Sequence, residues 1–369
     1  MDALGIVFSN IHDNNVPELT MNRTIGAIPF GGRYRLIDFT LSSMVNSGIN
    51  HVGCVTKRSY RSLIDHVGSG KDWDLARNNG GFVLLPPFGE HDSNLLYSTR
   101  LEALKTILGF INRCHEEFVV MSDTNSVYNI DFNDMLKNHR DTGAAVSLLY
   151  VEKDAKNISG TNNVILKVQD GIVKELAVDP LISGRVSIYG NVCIIRKDLL
   201  VSMVADAIAH GNRHFIKELI GNNLNSLKVV GYKHEGYFEE ISSLRRFYEV
   251  NLSLLKPEVR EDLFGKRQVY TKIKDSFPTD YGKDAKVTNS FIADGCRIEG
   301  EVHNSILFRG VKVGRGAVVK NCILMKNTIV GDRADITSVI TDKNVAIRDN
   351  KVLCGCEEIP FYIKKDISI

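Results

Sequence analysis

The chain shows two hydrophobic patterns, one before about residue 256 and one after about residue 287. In the first part, short apolar runs alternate with segments whose apolar residues recur every three to four positions. The runs predict β-strands and the periodic segments predict amphipathic helices. The predicted strands are GIVF, HVGCV, EFVVM, AAVSLLYV, NVCII and LKVVGY. This alternation is typical of a mainly parallel α/β sheet with helices on both faces, whose ligands bind beyond the C-terminal strand ends.

Three segments predict helices between these strands, namely DFTLSSMVNSG, LEALKTILGFI and KDLLVSMVADAIAHG. In the first of them, Asp38 is expected to cap the N-terminus because its carboxylate can accept from the first free N–H groups. Gly48 is expected to end the same helix, because glycine adopts the left-handed conformation at little cost.

The second pattern repeats every six residues. Val311, Ala317, Ile323 and Ile329 follow one another at this interval, with glycine and asparagine between them. A six-residue apolar period fits the sides of a parallel β-helix built from hexapeptide repeats, and we expect a left-handed one. The charged segment between the patterns contains two prolines and no clear period, which predicts a linker. The predicted organisation is therefore a Rossmann-like domain at 1–256, a linker at 257–286 and a β-helix at 287–369.

Composition limits the classes of function. Hydrophobic residues make up 43% and charged residues 24% of the 369 residues, and the net charge is +2. These values favour a globular protein and give no support for a nucleic-acid or membrane surface. The longest apolar runs are too short to span a bilayer, and no signal peptide is recognisable. Seven scattered cysteines, an odd number, favour reduced thiols and a cytoplasmic location.

The loop after the first strand has an unexpected composition. SNIHDNN, residues 9–15, contains no glycine, although the segment PFGGRYRLIDFTLSSMVNSGI follows soon after. This segment, with SILFRGVKVGRGAVVKNCILM in the repeat region, resembles the ADP-glucose pyrophosphorylase family, also called glucose-1-phosphate adenylyltransferase. The resemblance implies a nucleotidyltransferase domain joined to a left-handed β-helix, ADP-glucose synthesis from ATP and glucose-1-phosphate, Mg²⁺, effector regulation and a tetramer.

The sequence departs from that family at the positions that bind phosphate and metal. The glycine-rich loop GGxGTRL is replaced by polar and bulky residues. Two family lysines, the arginine of that loop and two metal-binding aspartates are also replaced. The residues at those five positions are Asn15, Ile25, Asn125, Asp179 and Glu240.

These replacements remove most of the charges that nucleotidyl transfer uses, and the reaction depends on positioning and electrostatic stabilisation. The pattern resembles the noncatalytic, regulatory partner chains of the family. We therefore expect no catalytic residue and no tightly bound cofactor in this chain. Mg²⁺ is expected to be needed by a catalytic partner subunit, with which the chain would form a heterotetramer.

Three arginines are candidates for binding phosphorylated effectors. Arg23 and Arg35 fall on basic positions that the family associates with effectors, and Arg61 lies in the basic stretch TKRSYR. Guanidinium groups suit phosphate because they donate in a fork. The alternative is a solvated basic face or ion pairs, for example with Asp38.

Two other functions remain open. The chain could be an active nucleotidyltransferase with a rebuilt phosphate loop, holding the metal with Asp123 and Glu240. It could also be a hexapeptide acyltransferase, although His303 is the only histidine in the repeat region. A catalytic subunit encoded nearby would favour the regulatory function over the first alternative.

Overall fold

A nine-stranded sheet forms the centre of the N-terminal part in the computed structural model, which describes residues 2–86, 97–158 and 160–369. Its order is β3-β2-β1-β4-β8-β5-β9-β7-β6. The strands are β1 Ala3–Phe8, β2 His51–Val55, β3 Gly81–Leu85, β4 Phe118–Asp123, β5 Val146–Asp154, β6 Val164–Gln169, β7 Ile172–Val178, β8 Arg185–Arg196 and β9 Val229–Lys233.

The sheet is mixed, so the expectation of a mainly parallel sheet is wrong. The pairs β3–β2, β2–β1, β1–β4 and β5–β9 are parallel, whereas β8 runs antiparallel to both neighbours, and β7 to β9 and β6. The strands β6 and β7 are joined by Asp170 and Gly171, which have φ values of 50° and 76°. A two-residue turn of this kind makes a hairpin, and Asp-Gly is its usual sequence.

Of the three predicted helical segments, two form single helices with shifted ends, and LEALKTILGFI is divided at Ile107 into two helices. The helices of the described chain cover the sheet. They are α1 Pro17–Thr20, α2 Leu36–Asn46, α3 Arg61–Val67, α4 Arg100–Thr106, α5 Leu108–Arg113, α6 Phe132–Asp141, α7 Lys197–Ala209, α8 Leu244–Ser253 and α9 Pro257–Arg260. Arg35, not Asp38, is the N-cap residue of α2, and the Asp38 carboxylate accepts from the Arg35 N–H at 3.0 Å. Gly48 follows the helix with a φ of 77°, as expected.

The C-terminal part is a parallel β-helix with three five-stranded sheets. One sheet contains Asp280–Tyr281, Arg297–Ile298, Lys312–Val313, Ile329–Val330 and Ala346–Ile347; the second contains Lys286–Thr288, Glu301–His303, Val318–Lys320, Asp335–Thr337 and Val352–Cys354; the third contains Phe291–Ile292, Ile306–Leu307, Ile323–Leu324, Val339–Thr341 and Phe361–Ile363.

The six-residue period holds over only part of this domain. Val311, Ala317 and Ile323 are fully buried, but Ile329 is 45% exposed and its neighbour Val330 points inward. Successive coils place ladder partners 15 or 17 residues apart, and 22 apart where Val339–Thr341 pairs with Phe361–Ile363. A coil of 17 residues is one residue shorter than three hexapeptides, so the inward position shifts by one from Ile329 to Val330.

Part of the predicted linker 257–286 is structured. The strand Asp280–Tyr281 already pairs with Arg297–Ile298, so the β-helix begins before residue 287. Leu263 packs in one apolar cluster with residues of both parts, including Phe308 of the β-helix. These elements were missed because very short strands and turns carry too few apolar positions to show a period. No helix in the described part of the chain has the length and apolar character that a bilayer crossing requires.

Candidate functional site

The sheet places the loop at residues 9–15, which lacks the family's glycines, against the end of β4. β1 lies between β2 and β4, so the loop that follows Phe8 meets the last residue of β4, Asp123. The Ser9 N–H and hydroxyl both donate to the carbonyl of Val55, at 3.1 and 2.9 Å. Tyr97 donates its hydroxyl proton to Asn10 Oδ1 at 3.0 Å. The loop is therefore fixed to neighbouring strands and helices by its own side chains.

Asp123 is held by two basic side chains at this position. Its Oδ2 lies 2.6 Å from His12 Nε2 and 2.7 Å from Arg100 Nη2. Arg100 comes from the first turn of α4 and also donates to the hydroxyl of Tyr189 at 3.0 Å. The side chain of Asp123 is 1% exposed and that of Arg100 is 8% exposed. We call His12, Arg100 and Asp123 the Asp123 cluster.

The electrostatics of the Asp123 cluster favour its charged form. Burial alone would raise the pKa of Asp123, but the Arg100 guanidinium and the hydrogen bond from His12 hold it below the ordinary value. Burial likewise opposes charge on His12, yet the hydrogen bond and charge of Asp123 raise its pKa above the ordinary value. Opposite charges that stay ionised when buried need this kind of pairing.

A second buried pair lies beside the cluster. The short strands Ser126–Tyr128 and Phe238–Glu240 pair antiparallel, which sets Glu240 next to Asn125. Asn125 Nδ2 donates to Glu240 Oε1 at 2.7 Å. Burial raises the pKa of Glu240, although His12 and Lys153 lower it. The two positions that correspond to the family's metal aspartates are therefore hydrogen-bonded to each other.

These residues do not fit the Mg²⁺ ion that the family uses. Magnesium is bound by carboxylates and water at ideal octahedral positions. Here Asp123 shares one oxygen between two basic groups, and Glu240 accepts an amide proton. Arg100 and His12 thus supply the positive charge that a metal would bring.

The other replaced positions have structural contacts. Ile25 is fully buried in an apolar cluster, where the family has a lysine. The Asp13 carboxylate accepts from the Ile25 N–H at 2.7 Å, and burial raises the pKa of Asp13 to about 7. Asn15 lies at the end of a 3₁₀ turn and donates its N–H to the His12 carbonyl at 3.0 Å. Asp179 is exposed and accepts two backbone N–H groups of the turn at 162–163.

A basic pocket lies between the sheet domain and the β-helix. Gly31 and Gly32 of the PFGG segment both have positive φ, and a Cβ on Gly31 would approach the side chain of Leu254 to 2.9 Å, so this turn requires glycine. The pocket has a volume of about 60 Å³. Its basic lining residues are Arg33, Arg35, Lys272, Lys274, Arg309, Lys326 and Lys343, and no carboxylate lines it among the described residues.

Mutual repulsion and burial act on these cations. The pKa of Lys343 is lowered to about 7. Burial is the largest cause, the nearby guanidinium groups of Arg35 and Arg23 lower the pKa as well, and Asp342 raises it by less. Burial also lowers the pKa of Arg35 to about 10. Arg35 donates to the carbonyl and the hydroxyl of Ser62, the latter at 2.9 Å. An anion in this pocket would relieve the repulsion.

The three candidate effector arginines occupy different environments. Arg35 lines the basic pocket. Arg23 is 3% exposed and its Nη2 donates to both oxygens of Asp342 in the β-helix, at 2.7 and 2.8 Å. Arg23 therefore does not offer a free guanidinium to phosphate, because its Nη2 is already bound to both oxygens of a buried carboxylate. Arg61 is exposed at the start of α3, outside the pocket lining. Asp38 pairs with His66 at 2.6 Å and not with an arginine.

Sequence reasoning missed the residues that complete both sites. His12 was part of a loop considered only for its missing glycines. Arg100 lies in TRLEA, where a charged residue on an otherwise apolar helix face could have indicated a buried partner. Lys343 and its neighbours are far from Arg35 in sequence, so no local pattern joins them.

Comparisons with known proteins agree with this arrangement. Residues 16–162 match the nucleotidyl transferase family, and residues 276–358 match the GlmU-like C-terminal hexapeptide family. The chain is 35% identical over 368 residues to the glycogen biosynthesis protein GlgD of Bacillus subtilis, covering 99% of this chain and 96% of that protein. It is 34% identical to GlgD of Geobacillus stearothermophilus, covering 86% of this chain and 82% of that protein.

Catalytic-type relatives match as well. The chain is 31% identical over 327 residues to glucose-1-phosphate adenylyltransferase of Clostridium botulinum, covering 87% of this chain and 84% of that protein. The resemblance seen in the sequence is thereby confirmed, together with its two-part fold. The chain belongs to the family of the glycogen biosynthesis protein GlgD and glucose-1-phosphate adenylyltransferase.

Proposed function

We propose that this chain is a regulatory, catalytically impaired subunit of glucose-1-phosphate adenylyltransferase in bacterial glycogen biosynthesis. The enzyme makes ADP-glucose from ATP and glucose-1-phosphate, and we expect this chain to act in the cytoplasm. Its relation to GlgD proteins and to adenylyltransferases supports the role in glycogen biosynthesis.

The Asp123 cluster is the observation that best supports the proposal that catalysis is impaired. The carboxylate at the end of β4 is neutralised inside the chain by Arg100 and His12. A triphosphate at this position would meet the buried negative charge of Asp123, and it could gain Arg100 or His12 as a partner only by taking that group from the carboxylate. Removing one partner of a buried ion pair costs about 3–5 kcal/mol, so nucleotide binding in a productive position is strongly disfavoured.

The basic pocket supports a regulatory role. We place a phosphorylated effector beside Arg35 and Lys343, because the pocket concentrates cations without a lining carboxylate. Arg61 would act only as a more distant charge, and Arg23 would act through the Asp342 pair. Arg35→Ala is expected to change the effector response of the mixed enzyme, whereas Lys167→Ala, which removes an exposed cation on the β6–β7 hairpin, leaves it unchanged.

The partner is a catalytic adenylyltransferase subunit, and the complex is a heterotetramer. Binding would shift the partner between states of different activity, with a coupling free energy of typically about 1–3 kcal/mol. The test is ADP-glucose synthesis by this chain alone, by the catalytic subunit alone and by the two co-expressed. The chain alone is expected to stay at background, and co-expression is expected to change the partner's substrate affinity or effector sensitivity several-fold.

A fourth sample separates the two possible sources of activity. In it, the catalytic subunit carries an alanine at its own metal-binding aspartate and is co-expressed with the intact chain. An inactive complex supports the regulatory role. An active complex, or separate elution of the two chains by size exclusion with unchanged kinetics, contradicts it.

One observation favours the alternative of an active enzyme with a rebuilt loop. Asp123 Oδ1 and Asn125 Oδ1 are buried and accept no hydrogen bond from the described residues. This alternative would require these two acceptors to bind a cation although the other oxygen of Asp123 is already paired with His12 and Arg100. Turnover by the chain alone that depends on added Mg²⁺ and is lost in Asp123→Asn would establish this alternative.

A further inference from the structure

A cluster of three different metal-binding side chains lies at the opposite edge of the sheet from the Asp123 cluster. His51 is the first residue of β2, and Cys114 and Glu116 lie in the turn that leads into β4. β2 and β4 run parallel to β1, so their amino ends meet at the same edge. The imidazole, thiol and carboxylate offer ligand atoms that all lie within 4.8 Å of one another.

The geometry of these side chains is close to that of a coordination site. His51 Nδ1 lies 2.9 Å from Glu116 Oε1. The other carboxylate oxygen, Glu116 Oε2, is buried and has no hydrogen-bond partner among the described residues. Buried polar atoms usually find a partner, so this acceptor is a second indication of a ligand. Cys114 is buried, whereas His51 and Glu116 are 18% and 20% exposed, which leaves a narrow path from solvent.

Contacts with neighbouring side chains and backbone groups hold the three residues in place. Lys197 Nζ donates to the Cys114 carbonyl at 2.5 Å, and the Lys197 N–H donates to the Glu117 carbonyl at 2.9 Å. The ring of Phe110 packs edge-on against the imidazole of His51 at 5.4 Å. Ligands on a strand end and a fixed turn need little reorganisation to receive an ion.

We propose that His51, Cys114 and Glu116 bind one Zn²⁺ ion, with water as the fourth ligand. A thiolate, an imidazole and a carboxylate are the ligands that Zn²⁺ takes in tetrahedral sites. One thiolate and one carboxylate balance the two positive charges of the ion. Binding breaks the S–H bond of Cys114, forms the Zn–S bond and releases the proton to solvent. The site lies away from the Asp123 cluster, so the ion stabilises the fold and takes no part in nucleotidyl transfer.

Binding is expected to weaken at low pH. Burial and the Glu116 charge raise the pKa of the Cys114 thiol to about 11, against the influence of Lys197 and Arg113. The ion therefore has to displace a proton from the thiol over the whole neutral range.

The test is titration of the reduced, metal-free full chain with Co²⁺, which reports thiolate ligation through an intense near-ultraviolet charge-transfer band. One equivalent of Co²⁺ is expected to produce the band, and one equivalent of Zn²⁺ is expected to remove it. Cys114→Ser should abolish the band. His51→Ala and Glu116→Gln should weaken Zn²⁺ binding at least about 10-fold, as even losses of supporting contacts do.

The matched control is the double substitution Cys354→Ser with Cys356→Ser, which removes the two exposed thiols of the chain. It should leave the band intact. Absence of the band in the wild-type chain, or its loss in this double variant, overturns the proposal. If Cys114→Ser fails to fold by circular dichroism, Glu116→Gln decides, since unchanged Zn²⁺ affinity in that variant also overturns the proposal.

Discussion

The ion pair between Arg23 and Asp342 joins the sheet domain to the β-helix and gives a sharp stability prediction. Both side chains are almost fully buried, at 3% and 4% exposed, and they lie 2.7 Å apart. At an effective dielectric constant of about 20, two charges at this distance attract by about 6 kcal/mol. Part of that attraction offsets the cost of removing both charges from water, so the net effect of breaking the pair is smaller.

Asp342→Asn removes the negative charge and leaves Arg23 buried beside Arg35 and Lys343. Loss of one partner of a buried ion pair typically costs about 3–5 kcal/mol, and we expect a loss of this size in the free energy of unfolding. The measurement is urea denaturation of the full chain under reducing conditions, followed by circular dichroism. Limited proteolysis within 257–286 should also become faster, because this segment packs between the two parts.

Two further variants test whether the buried pair is responsible for this loss of stability. Lys167→Met breaks the exposed pair with Glu175 and should cost less than about 1 kcal/mol. The double variant Arg23→Met with Asp342→Leu removes both buried charges and should recover most of the stability that Asp342→Asn loses. A loss below about 1 kcal/mol in Asp342→Asn, or a double variant no more stable than this single one, would show that the pair does not hold the two parts together.

Three other predictions concern the two sites. Affinity of the basic pocket for sulfate, whose charge is constant near neutral pH, should fall as pH rises through about 7 when measured by calorimetry, because Lys343 must be protonated to bind an anion; Lys343→Arg should remove this dependence. Asn125→Asp should leave ADP-glucose synthesis by the chain alone at background, because the phosphate loop is still absent. Arg100→Met should destabilise the chain by about 3–5 kcal/mol at neutral pH. That loss should shrink in acid: the folded-state pKa of Asp123 is depressed, so the stabilisation is fully present above the unfolded pKa near 3.8 and is lost as the pH falls through the lower folded pKa.

Elements defined by local periodicity were predictable from the sequence. The six strands read from short apolar runs all occur, because burial on both faces of a central sheet leaves a continuous apolar signal. The β-helix was equally clear from its repeat. Its register was not, since the shift at Ile329 depends on how many residues each corner of a coil contains.

Features decided by tertiary contacts were not predictable in the same way. The β6–β7 hairpin carries its signal in Asp170 and Gly171, but its apolar residues are sparse because much of it is exposed. Arg35 is the N-cap of α2 because Tyr34–Arg35 pairs antiparallel with Pro29–Phe30, and this short pair of strands fixes where the first turn of the helix starts. In both cases tertiary contacts with the sheet and its neighbouring elements, rather than local sequence propensity, determined the structure.

The sequence predicted which family residues the candidate site lacks, but not which residues take their place. The absence of phosphate-binding glycines and lysines follows directly from comparing residues with the family pattern. What replaced them does not, because Arg100 and His12 reach Asp123 from segments that are far apart in the chain. The same limit applies to Arg23. The sequence predicted a phosphate as its partner, but in the structure its partner is the Asp342 carboxylate of the β-helix.

The two sites differ in their charge balance, and this difference favours regulation over catalysis. At the Asp123 cluster, a buried carboxylate meets two basic groups of the same chain, so an incoming phosphate gains little and must first break an existing pair. In the basic pocket, seven cations face one another, and Arg309 is paired with Asp294. Burial and, after it, repulsion by neighbouring cations lower the pKa of Lys343 and of Lys274. An anion gains most where positive charge is in excess, so the free energy available for binding phosphate lies between the two domains and not at the end of β4. Under the regulatory role proposed above, a ligand bound there would contact both parts of the chain, so its binding would be coupled to their relative position, which a partner subunit would sense.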